Sequence, residues 1–121
     1  TGRLKEMFIV GGSNAYPAEI ERIVQGLPEV KQAVVVGVPD RRLGEVGFAF
    51  VQLHEGQSIG REALVARCRA AMADYKVPRH VQFVDDFPRT TTGKIQRFVL
   101  QQQAREQLAA QTAGMASGAS S

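Results

Sequence analysis

Residues 30–53 carry two apolar runs that a β-sheet accommodates far better than a helix does. From residue 30 to 38 the even positions Val30, Val34, Val36 and Val38 share one face, the two-residue period of a strand, and Pro39-Asp40 closes the run. Residues 46–53 are apolar at odd and even positions alike, the pattern of a strand covered on both faces and placed centrally in its sheet. A third, shorter run at 81–84 sets Val81 and Phe83 on one side.

Helical signals lie between these strands. Residues 17–27 follow Pro17 at a first helical position, place Glu19 and Glu21 near the positive end of the helix dipole, and align Ile20, Val24 and Leu27. Residues 61–73 turn Leu64, Cys68 and Met72 inward and their arginines outward, and residues 95–108 carry Ile95, Phe98 and Val99 as an apolar stripe with Gln101-Gln102-Gln103 toward solvent. The expected fold is α+β: a small central sheet of about three strands with helices packed on it, plus a short N-terminal strand or hairpin at Met7-Phe8-Ile9-Val10 before the loop Gly11-Gly12-Ser13-Asn14. Residues 1–6 read as a charged linker from an absent N-terminal partner, 7–108 as the domain, and the Ala-, Gly- and Ser-rich residues 109–121 as a disordered tail.

Composition narrows the function classes. The net charge of +3 comes from fifteen Lys and Arg scattered among twelve acids, which suits an anionic ligand and falls short of a nucleic-acid signature. Gly44-Glu45-Val46-Gly47 has the Gly-x-x-Gly spelling of an RNA-binding KH loop, but Glu45 would repel a phosphate. No apolar run approaches the roughly 18–20 residues that cross a bilayer, and no secretory pattern opens the chain, so the expected location is cytoplasmic. Cys68 reads as a buried filler, since neither His54 nor His80 is placed to activate it.

The segment Phe87-Pro88-Arg89-Thr90-Thr91-Thr92-Gly93-Lys94-Ile95 carries the most chemistry. Three threonines and a glycine make a polar, mobile loop, and Lys94 stands at the expected start of the last helix, where the dipole opposes a cation by up to about 1 kcal/mol. A phosphate-binding P-loop is excluded, because Pro88 stands where its first glycine belongs and Ile95 where its Ser or Thr belongs.

Phe-Pro-Arg-Thr-x-Thr-Gly-Lys-Ile resembles the C-terminal lysine motif of the acyl-adenylate-forming enzymes, a superfamily that includes acyl-CoA synthetases, peptide-synthetase adenylation domains and luciferase. Gly2-Arg3-Leu4-Lys5-Glu6, then Gly12-x-Asn14-x-x-Pro17-x-Glu19-Ile20-Glu21, is similar to a second motif of the family, and Val34-Val35-Val36-Gly37-Val38-Pro39-Asp40 with Gly44-Glu45 to its middle segment. The resemblance covers residues 2–108 and is greatest to the fatty-acid branch of the acyl-CoA synthetases.

It implies a mobile C-terminal lid that rotates between two steps: acyl-adenylate formation from a carboxylic acid and ATP, then thioester formation with CoA. By the same resemblance Lys94 is catalytic and contacts the nucleotide, Arg3 binds the AMP moiety, and Lys5 is the hinge. Gly12 and Ser13 belong to the loop that lines the thiol passage, with Ile9 and Asn14 where other members carry basic residues. Tyr75 and Arg79 would hold the CoA nucleotide, with Lys76 or Arg69 supplying charge where a relative has arginine in place of Val77. Magnesium, ATP and the acyl chain would be bound by the N-terminal adenylation domain, with no metal held here. A carrier-protein phosphopantetheine in place of CoA is the second implied acceptor.

Overall fold

The computed structural model describes residues 6–120, with side chains described for 6–111. The elements run β1 (Phe8–Val10), β2 (Ser13–Ala15), α1 (Pro17–Gln25), β3 (Val30–Asp40), β4 (Gly44–Leu53), α2 (Arg61–Ala71), a 3-10 turn (Asp74–Lys76), β5 (His80–Phe83) and α3 (Arg97–Ser120). The expected α+β architecture is present: three strands make the body of the sheet and an N-terminal hairpin extends it.

Strand β4 is central, as its two apolar faces required, and its residues 46–51 are all buried. β3 runs antiparallel along one edge, from Val30 opposite Leu53 to Asp40 opposite Gly44. The other edge is shared, with β5 parallel to it at Phe48–Val51 and β1 reaching it only through Val10 opposite Gly44. The β3–β4 turn is built by Asp40, whose carboxylate accepts hydrogen bonds from the Arg42 and Leu43 amides at 3.0 and 2.9 Å. These N–H groups, Leu43 first, hold the Asp40 carboxyl below its ordinary value.

The hairpin is seated by a ring in a notch. Gly37 and Gly47 face each other across β3 and β4, and Phe8 lies over the pair, 3% exposed. A Cβ at Gly37 would stand 2.7 Å from the Phe8 Cβ, so any larger residue there displaces the ring. Burying such a side chain is worth about 1.5–3 kcal/mol.

Two expectations need correction. Gly11 and Gly12, with φ of 56° and 89°, form a two-residue turn that matches the twist of the strands it joins, and Ser13 and Asn14 belong to β2 instead of a loop. Helix α3 begins at Arg97 instead of residue 95, so Ile95 lies outside it, and the buried face of the helix runs through Leu100 and Ala104, one turn apart. Phe98 is 75% exposed, while Gln101, expected in solvent, donates from its amide to the Gly37 carbonyl at 2.9 Å. The helix is long, and runs to Ser120 through a stretch whose alanines are the strongest helix formers and which holds no proline.

Candidate active site

The lysine loop is a small hairpin. Arg89 and Ile95 pair as an antiparallel bridge, the Thr90 amide donates to the Lys94 carbonyl at 2.8 Å, and the Gly93 amide to the Thr90 carbonyl at 2.9 Å. This is a three-residue connection, Thr91 to Gly93, whose last position needs the left-handed conformation; Gly93 supplies it with φ of 88°. The Thr90 and Thr92 hydroxyls bond each other at 2.9 Å, the Lys94 amide donates to the Thr90 hydroxyl at 3.2 Å, and the Arg89 guanidinium to the Gly93 carbonyl at 3.1 Å. The threonines therefore close a preformed turn, where a mobile stem was expected.

Both limbs are rooted inward, Phe87 at 5% exposure and Ile95 packed against the core, while Lys94 is exposed at the tip. Among the described residues its ammonium has no hydrogen-bond or ion-pair partner. It also lies three residues before α3, so the helix dipole does not bear on it as expected.

The cation in the first turn of α3 is Arg97, which sequence reasoning missed. Its guanidinium donates to Glu21 Oε2 at 2.7 Å and to the Val35 carbonyl at 2.8 Å, and reaches Glu6 Oε2 at 3.3 Å. Glu21 is 2% exposed and also accepts from the Val35 amide at 2.8 Å, so the buried carboxylate binds α1, β3 and α3 into one network. The signal was available in part: Glu21 falls within one residue of the buried stripe of α1, at a position a dipole argument alone treats as solvated.

The Gly11–Gly12 turn stands apart from this network. Gly12 and Gly11 are exposed, and an added Cβ at Gly12 would meet nothing within 4 Å. Within this domain its glycine is required by backbone torsion and not by space. Ser13 is half-buried at the start of β2, opposite Val10.

Arg79 lines a concave surface between α2 and the segment before β5, together with Arg61, Arg69, Val65, Val77 and Pro78. Arg79 also lies 3.9 Å from the Asp74 carboxylate, while Arg61 and Arg69 make no ion pair among the described residues. Lys76 faces elsewhere: its ammonium bonds Glu19 of α1 at 2.5 Å, and that partner raises its pKa. Tyr75 is half-buried against the core, with the Lys76 ammonium 5.7 Å from its ring centre, and is not brought to the arginine surface.

Arg3 and Lys5 lie outside the described residues. Cys68 is buried at 1% exposure and its thiol is pushed up by burial, the setting of an inert thiol. Gly44 to Gly47 lie within β4, with Val46 in the core, so they form no loop for RNA. Among the described residues no helix is long and apolar enough to cross a membrane, and no three His, Cys, Asp or Glu side chains cluster as metal ligands would.

Residues 19–94 match the family described as AMP-binding enzyme C-terminal domain. The chain is 47% identical over 107 residues to a mitochondrial medium-chain acyl-CoA ligase, ACSF2, of Danio rerio, covering 88% of this chain and 18% of that protein. A Mycobacterium tuberculosis fatty acyl CoA synthetase structure superposes with a TM-score of 0.74 at 41% identity, over 83% of this chain and 20% of that one. ATP-bound MatB from Rhodopseudomonas palustris gives 0.77 at 37% identity, over 82% and 20%. The chain thus spans about a fifth of the length of these relatives.

Proposed function

Since the chain belongs to the AMP-binding enzyme C-terminal domain family, we propose that it is the lid of an ATP-dependent, AMP-forming acyl-CoA synthetase and that Lys94 is its catalytic residue. One observation carries this reading: a core-rooted hairpin holds an ammonium in solvent with no partner of its own among the described residues. A cation kept in that state is free for anions brought from elsewhere.

The chemistry explains the need. A substrate carboxylate attacks the α-phosphorus of ATP, the bond to pyrophosphate breaks, and two anionic centres must meet against repulsion. A compact ammonium with three donors stabilises charge on the transferring centre. In the second step a thiol attacks the acyl carbon and AMP departs. We assign ATP, magnesium and the acyl chain to the N-terminal domain of the parent enzyme, the AMP contact to Arg3, and the rotation between steps to a hinge at Lys5.

In the thioester orientation the turn at Gly12 and Ser13 would line the thiol's path. The arginine surface around Arg79, with Arg61 and Arg69, fits the phosphates of the CoA nucleotide; Lys76 is already engaged by Glu19, and Tyr75 would have to present its remaining ring face. That exposed arginine surface favours free CoA over a carrier-protein acceptor, whose prosthetic arm lacks the nucleotide.

In the full-length enzyme Lys94→Ala should lower acyl-adenylate formation by roughly 3–4 kcal/mol of transition-state energy, a factor of about a hundred to a thousand. Thioester formation from supplied acyl-adenylate should survive. Equal loss of both half-reactions would overturn the assignment.

A further inference from the structure

The β1–β2 hairpin is held to the sheet by unusually little backbone. β1 meets β4 at one register pair, Val10 with Gly44, and beside it the Gly11 amide donates to the Leu43 carbonyl at 2.8 Å. Alternation along a strand points the Ile9 N–H to the same edge as that of Gly11, where the next ladder acceptor should be. No strand carbonyl takes it: the Ile9 amide donates instead to Glu45 Oε1 at 2.9 Å. A half-buried side chain thus completes the ladder that the diverging strands leave open.

We infer that Glu45 is a positioning residue for the thioester-forming half-reaction: by accepting the Ile9 N–H it sets the pose of the hairpin that carries Gly12 in its turn and Ser13 at the start of β2. The inference rests on the reading that this turn serves the second step. Two anchors divide the work. Phe8, sunk over Gly37 and Gly47, keeps the hairpin on the domain, and Glu45 fixes its rotation about that ring. The bond needs only an acceptor oxygen, so a neutral amide at the same position should still make it.

The test uses the full-length enzyme with Glu45→Ala and Glu45→Gln, following both half-reactions separately. Glu45→Ala should slow thioester formation from supplied acyl-adenylate by roughly 10- to 100-fold, the scale of an ångström-sized misplacement, and leave acyl-adenylate formation within about twofold. Glu45→Gln should restore most of the loss. Thioester formation unchanged in Glu45→Ala, an equal fall in both half-reactions, or a glutamine variant as deficient as the alanine variant would each overturn the role of Glu45. Those results leave the functional reading standing, because that reading is tested by the Lys94→Ala half-reactions and not by any Glu45 variant.

Discussion

Gly93 decides where the Lys94 ammonium stands. Its φ of 88° closes the three-residue turn, and an added Cβ would meet nothing within 4 Å, so a substitution there tests torsion alone. Alanine in the left-handed region costs about 1–2 kcal/mol, which the exposed hairpin can relieve by opening. Gly93→Ala in the full-length enzyme should therefore cut acyl-adenylate formation about tenfold, read by single-turnover kinetics, with thioester formation from supplied acyl-adenylate unchanged. Thr-Thr-Gly-Lys stood out in the sequence as the segment for which a site is proposed, but not as a turn with a required geometry: the bridge between Arg89 and Ile95 that closes it gives no periodic signal in so short a stretch. The dipole argument that singled out Lys94 described the wrong residue. It applies to Arg97, whose compensating carboxylate on Glu21 lies 76 positions away, a separation no local pattern reports.

At the scale of elements, that ion pair is the joint between α1, β3 and α3. Arg97→Met would remove the Arg97 guanidinium from the Glu21 carboxylate, at 2% exposure, and losing one partner of a buried pair typically costs about 3–5 kcal/mol. Adding Glu21→Gln should recover part of the loss, since the amide buries no charge and its oxygen can still accept the Val35 N–H. Urea midpoints of the single and double variants measure both effects; additive losses would deny the coupling. The strands were legible because valine-rich runs and burial on two faces are local properties, and the central place of β4 followed from them. Helix α3 was less so. The expected stripe was anchored on Ile95, which lies outside the helix, and the buried face passes through Leu100 and Gln101 instead of Phe98; the helix's Ala-rich end reads as coil by complexity but as helix by propensity.

At the scale of the whole molecule, the described residues form one core that carries the proposed site on its surface. Among the described residues, twenty-two buried hydrophobic residues from β1 to β4, all three helices and the loops between them form one cluster. The chemical groups behave oppositely: Lys94, Gly12 and the arginines around Arg79 stand on the surface, and among the described residues none closes on another to form a pocket where a carboxylate and a triphosphate could meet. Such an arrangement separates folding from catalysis. The isolated 121 residues should unfold in a single cooperative denaturant transition, as small domains with one core do. The same sample should show no acid-dependent exchange of pyrophosphate into ATP, because one ammonium in water neither excludes solvent nor orients two reactants, and orientation alone supplies about 7–11 kcal/mol of an enzyme's advantage. Exchange by this chain alone would place the acid and nucleotide sites within it and remove the reason for a lid.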